Sequence, residues 1–192
     1  MSLEDNNWFS SYYAKVETFW ASVSIADENK VAYLLNRFQE AVQQNDEDTV
    51  ELLVDVAFQI ENQEIMIEVL NRLLLLDGHY QHQMITKTLQ DIGHPSSVEF
   101  IAQVLELDFK RFAYTASEDG VIAKWFSHAL ADIGTVEATA LLKRYAQSEN
   151  QEIATEMQYR LRRIEEYKTS PPKVVKSKTS VFKNIIEALK KL

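Results

Sequence analysis

Residues 120–145 read GVIAKWFSHALADIGTVEATALLKRY, a pattern of helix, glycine and helix. Ile122, Phe126, Ala129, Leu130 and Ile133 recur at steps of three or four, the spacing that gathers side chains on one helical face. Gly134 follows the last of them and stops the helix, because glycine takes the left-handed conformation that a side chain disfavours. A second stripe, Ala138, Leu141, Leu142 and Tyr145, begins four residues later. Two helices joined by so short a turn lie side by side and leave an apolar face that further helices must cover.

The covering elements are expected to be copies of the same unit. Leu89-Gln-Asp91-Ile92-Gly93 matches Leu130-Ala-Asp132-Ile133-Gly134 at four of five positions, at an offset of 41 residues. Phe100 and Ile101 fall on Leu141 and Leu142 at that same offset. Fainter copies lie at Ala57-Phe-Gln-Ile60 and Leu161-Arg-Arg-Ile164, so Ile60, Ile92, Ile133 and Ile164 are spaced 32, 41 and 31. A base period near 31 or 32 with one enlarged unit accounts for this. The enlargement is an insertion at 108–119, DFKRFAYTASED.

The run Ala129-Leu-Ala-Asp-Ile-Gly-Thr-x-Glu-Ala-x-x-Leu-Leu142 resembles the HEAT-like repeat of the phycobilisome-lyase type, over roughly residues 47–165 and most closely over 120–148. The resemblance implies an all-α fold, an α-solenoid of four or five HEAT-like helical hairpins. The expected organisation is an N-terminal capping helix in 1–26, the solenoid in 27–167, a Pro/Lys linker in 168–179 and a basic amphipathic helix in 180–192. On function the resemblance is nearly silent, since such repeats serve as scaffolds, adaptors, inhibitors and a few enzymes.

Charge narrows the classes. The net charge is −9, but seven lysines and one acid from residue 168 onward leave 13 basic against 28 acidic side chains, or −15, in the first 167 residues. Such a body repels phosphate backbones, so direct nucleic-acid binding by the solenoid is not expected, and a basic protein partner is. Cysteine is absent, which excludes disulfides and thiolate chemistry and fits a cytoplasmic location.

Along the chain, Trp8, Tyr12, Val16, Phe19 and Val23 form an aromatic-rich stripe suited to closing one end of the repeats. Asp27 is expected to cap the next helix, and helices are expected near 48–60, 63–76, 79–92, 96–107, 120–133 and 151–167. In HEAT-like solenoids the helix before the glycine lines the concave side. Its outward positions here are Asp48, Glu51 and Asp55; His79, His82, Gln83, Thr86, Lys87 and Gln90; Lys124, Ser127, His128 and Ala131; and Glu152, Glu156, Tyr159 and Arg163. The insertion adds Lys110, Arg111, Tyr114, Glu118 and Asp119 at an edge, where partner contacts concentrate, with Phe109 and Phe112 either plugging the widened joint or projecting with them. The proline-containing linker tethers a segment in which Val181, Ile185, Ile186 and Leu189 oppose Lys183, Lys190 and Lys191. Its possible homes are the acidic body, a partner's groove or an anionic membrane surface; docking on the body or disorder is expected, since a single short helix with few basic residues gives marginal membrane affinity.

Catalytic patterns are weak. His79-x-x-His82 has helical spacing but lacks a His-Glu-x-x-His arrangement and a third ligand, so no metal is expected. His128 has no nucleophile beside it and reads as a partner contact. No cofactor loop is present. The expectation is a non-enzymatic protein-binding module. It looks like a bacterial immunity protein that occludes a basic toxin domain; a general scaffold and a HEAT-type lyase or hydrolase are the alternatives.

Overall fold

The apolar periodicities resolve into helices in a computed structural model, which describes residues 3–169 apart from 108 and 116, with side chains from residue 10 onward. The helices are α1 (Leu3–Val23), α2 (Asp27–Gln44), α3 (Glu47–Ala57), α4 (Gln63–Leu74), α5 (His82–Ile92), α6 (Ser97–Glu106), α7 (Asp119–Ile133), α8 (Val136–Tyr145) and α9 (Gln151–Thr169), with a 3-10 helix at Phe109–Thr115. The described residues are all-helical, without a strand. The expected linker and C-terminal helix lie outside the described residues; α9 itself continues through Tyr167 and Lys168 to Thr169.

Local chemistry sets the ends. Gly93 and Gly134 both adopt φ +67, and their N–H groups donate to Leu89 O (2.9 Å) and Leu130 O (3.1 Å), so the two matched glycines end α5 and α7 in the same way. The Thr135 hydroxyl accepts from Ala138 N at 3.1 Å and opens α8 directly afterwards. At α3, Asp46 accepts from the Thr49 hydroxyl at 2.6 Å and, as N-cap, from Thr49 N, and these two bonds, the hydroxyl's first, hold its carboxyl below the usual carboxylate range. Asp27 is not a cap: Ala26 holds that position, and Asp27 pairs with Lys30 at 2.7 Å and accepts from Asn62.

Helices pack on neighbours in two rows. In one, α5 lies against α7 and α7 against α9; in the other, α2 lies against α4, α4 against α6 and α6 against α8. Consecutive helices tie the rows together, α2 to α3, α4 to α5, α7 to α8 and α8 to α9. Between them Leu34, Phe38, Leu53, Leu70, Leu74, Leu89, Ile101, Phe126, Leu130, Leu142 and Met157 are buried in one continuous core. At the first end α1 covers α3: Val16 is buried, the Trp20 indole donates to Val56 O at 2.8 Å, and the Tyr12 hydroxyl donates to Asp55 at 2.6 Å.

Three expected boundaries move. α3 ends at Ala57, with Ile60 buried in the loop beyond it, and α4 ends at Leu74. Helix α5 begins at His82 and not at 79, because Gly78 turns the chain at φ +99 and the His79 side chain folds inward. The insertion is a 3-10 helix whose Phe109 and Phe112 are buried. Phe112 packs edge-on to His82 (5.0 Å between centroids) and tilted over Phe126 (6.1 Å), so the two phenylalanines fill the widened joint.

Candidate functional site: the groove between α5 and α7

The side chains around the end of α4 are built to satisfy its last carbonyls. A helix leaves its final C=O groups without internal partners. Here the His79 Nε2–H donates to Leu73 O at 3.0 Å, Arg111 Nη2 to Leu75 O at 2.9 Å and the His82 Nε2–H to Leu76 O at 2.9 Å. The remaining ring nitrogens accept: His79 Nδ1 from the Gln81 backbone N–H (3.1 Å) and His82 Nδ1 from the Tyr114 hydroxyl (3.0 Å). A carbonyl can only accept and an N–H can only donate, so these partners fix His79 as the neutral Nε2–H tautomer; the Leu76 carbonyl places a proton on His82 Nε2, and burial leaves its Nδ1 unprotonated to accept from Tyr114. Burial keeps both below the ordinary histidine value, His82 at about 3, and Arg111 adds to the effect.

Several expectations are corrected by this cluster. His79, His82 and Thr86 were expected to face outward and are buried, as is Ser127 on α7. Arg111 was expected to project from an edge; its side chain is only 10% exposed and pairs with Asp77 at 2.9 Å as well as with Leu75 O. Tyr114 turns its hydroxyl inward to His82 while one flank stays exposed against Tyr80, 5.3 Å between centroids. Glu51 and Asp55 are likewise committed within the chain, accepting from the Gln81 amide at 2.8 and 2.9 Å; Glu51 also accepts from Tyr80 N. Asp119 accepts from Asn150 at 2.7 Å and joins α7 to the start of α9. The common reason is that neighbouring units need polar bonds between them as well as apolar contact, and a sequence does not say whether a polar residue faces water or the next unit.

The remaining candidates stay at the surface. Asp48, Lys110 and Glu118 are exposed on three separate elements. Gln83, Lys87, Lys124 and half-buried His128 come together with Thr86, Gln90, Val121 and Trp125 in a groove of about 460 Å³ between α5 and α7. The two helices run parallel and in register: Tyr114, just before α7, bonds His82 at the start of α5, and Gln90 near the end of α5 donates to Asp132 near the end of α7 at 2.6 Å. Lys87 pairs with Asp91 on its own helix, whereas Lys124 is exposed with no ion pair among the described residues. Beside the groove, Ser127 donates to Glu156 at 2.8 Å and accepts from Arg160, a part-buried set that fixes α9 to α7. Burial first, then the Arg160 charge, lowers the His128 pKa, so its ring is neutral near pH 7.

Sequence reasoning missed the apolar part of this surface. Tyr80 is 59% exposed, Met84 57% and Val121 45%, and with Tyr114 they occupy the N-terminal ends of the parallel pair α5 and α7. Their signal was available: Met84 and Val121 are large apolar residues lying off the core stripes Ile85–Leu89 and Ile122–Phe126. An apolar side chain on the polar face of an amphipathic helix marks contact with something outside the helix.

Among the described residues no three His, Cys, Asp or Glu side chains are grouped so as to hold a metal ion, and all four ring nitrogens of His79 and His82 are already engaged. No family model, curated protein or solved structure matches this chain.

Proposed function

We propose that this protein is a non-enzymatic protein-binding module, an α-solenoid of HEAT-like helical pairs that docks a folded partner on the α5–α7 face. The observation that carries the reading is exposed apolar surface on this face: Tyr80 against Tyr114, 5.3 Å between centroids, Val121 in the groove bordered by Lys124 and His128, and Met84 exposed on α5. Exposed tyrosine and methionine on a face that also carries polar groups have the composition of an interface hot spot. Two parallel helices whose polar side chains are locked by neighbouring units present that patch without a large ordering cost on binding.

The specific form of this activity is that of a cytoplasmic immunity protein occluding a basic toxin domain. The acidic body, −15 over the first 167 residues, steers a basic domain towards it, and the apolar patch supplies short-range adhesion. Tagged protein used as bait in its native host at low and high salt tests this. A basic domain retained at low salt, released at high salt and lost on Met84→Glu with Val121→Glu is the expected result. Several unrelated partners held by the same face would make the protein a general scaffold, and no partner at either salt would remove the reading.

A further inference from the structure

We infer that residues 180–192 dock, within the same chain, in the acidic groove formed by α4, α6 and the start of α8. This groove encloses about 750 Å³ on the row opposite to the α5–α7 face. Half-buried Val98 and Phe100 give it an apolar lining, and Glu68, Glu99 and Glu137 surround that lining with Arg72 as the cation. Arg72 is committed: it pairs with Glu68 at 2.7 Å and lies over the Phe100 ring, 5.7 Å from its centroid. Glu99 and Glu137 are exposed and make no ion pair among the described residues. The groove thus sets apolar surface between two uncompensated carboxylates.

The segment 180–192 has the complementary pattern in its sequence. Val181, Ile185, Ile186 and Leu189 fall on one side of a helical projection, and Lys183, Lys190 and Lys191 on the other. Chain geometry brings it to this end of the molecule. A cleft of about 380 Å³ holds Asp132 of α7 with Arg163, Tyr167 and Lys168 of α9, and Asp132 lies three residues before Thr135, which lines the acidic groove. Residues 170–179 reach about 33 Å when extended, and one helix-to-helix step is roughly 10 Å, so the tether spans the path. Tethering also holds the segment at an effective concentration on the order of millimolar, where weak contacts suffice. Two other depressions repel it: Lys87 and Lys124 line the α5–α7 groove, and Arg160, Arg163 and Lys168 line the α7–α9 cleft. A third, lined by Glu118, Glu152 and Glu156, lies at the starts of α7 and α9, and there Glu152 accepts from Gly120 N and Glu156 from Ser127 and Arg160.

Because this docking uses the opposite row of helices, it stands or falls separately from partner binding at α5–α7. The chain has no cysteine, so a pair introduced into the full-length protein reports on proximity alone. Gln103→Cys lines the acidic groove and is combined with Asn184→Cys; Lys124→Cys with Asn184→Cys is the comparison. Under mild oxidation at micromolar protein, the first pair should close into cross-linked monomer about tenfold faster than the second. Adding Glu99→Lys with Glu137→Lys should slow that closure severalfold. Equal rates in the two pairs, a rate indifferent to the charge reversal, or cross-linked dimer whose yield rises with concentration would each overturn the assignment.

Discussion

The imidazoles of His79 and His82 stack 4.0 Å apart at an interplanar angle of 21°, each giving its Nε2 proton to a carbonyl near the end of α4. Two rings in that arrangement cannot both carry charge, and a third basic group, Arg111, already supplies the cation that a helix C-terminus favours. Glu51 and Asp77 pull the His79 pKa back upward, but burial outweighs them.

Stability is therefore expected to fall in mild acid. Above about pH 6.5 neither folded nor unfolded histidine holds the extra proton, and the full stability is present. Below it the unfolded chain binds protons that the folded one excludes, so the unfolding free energy drops by about 1.4 kcal/mol per pH unit for each excluded proton. For His82 the loss continues to about pH 3. Urea midpoints at pH 7 and pH 5 measure it. A shift equally large in a His79→Gln, His82→Gln double variant would assign the effect to other groups.

Arg111→Met should destabilise the fold by about 1–3 kcal/mol, because Leu75 O loses its donor and Asp77 its ion pair. Capture of a partner by the α5–α7 face should be unchanged. Phe112→Ala, which empties a fully buried site against Phe126 and Trp125, should cost more, about 3–5 kcal/mol. Thermal unfolding of the two variants ranks them; an Arg111→Met protein as stable as the parent would mean that the capping bond contributes nothing.

Gly93→Ala and Gly134→Ala should each cost about 1–2 kcal/mol, and by similar amounts, since both positions hold φ +67. An added methyl meets only carbonyl oxygens at ordinary contact distances, 3.5 Å or more, so conformational strain and not crowding sets the loss. Unequal losses in denaturant titrations would show that the two units are not equivalent despite their matched sequences.

Substitutions on the exposed patch should separate binding from folding. Tyr80→Ala and Lys124→Glu touch the surface of the α5–α7 face and are expected to move the unfolding midpoint little, within about 0.5 kcal/mol. Partner retention should fall about tenfold for Tyr80→Ala if the residue is a hot spot. Retention by the variants, measured with the parent protein's captured partner, decides whether this face or another is used.

Helix identity was legible in the sequence because amphipathic periodicity is a property of local spacing. The stripe Ile122, Phe126, Ala129, Leu130 and Ile133 predicts α7, and Gly134 predicts its end; all five are buried and the glycine is left-handed. Part of the candidate surface was legible too, since Gln83, Lys87, Lys124 and His128 do share a groove.

Which polar side chains face water was decided only by the tertiary structure. His79, His82, Arg111, Glu51 and Asp55 look like surface residues by composition, yet each is bonded across 6 or more residues of chain to an atom that a local pattern does not reveal. The α4 carbonyls need donors, and the joint widened by the insertion needs filling. Both needs exist only once α4, α5 and α7 are packed together, so neither is written in the periodicity of any one helix. The sequence by itself determined which stretches form helices and, at Gly93 and Gly134, where they end; packing determined the ends of α3 and α4 and the start of α5, which polar residues serve as internal braces, and which apolar ones, Tyr80, Met84 and Val121, are left at the surface.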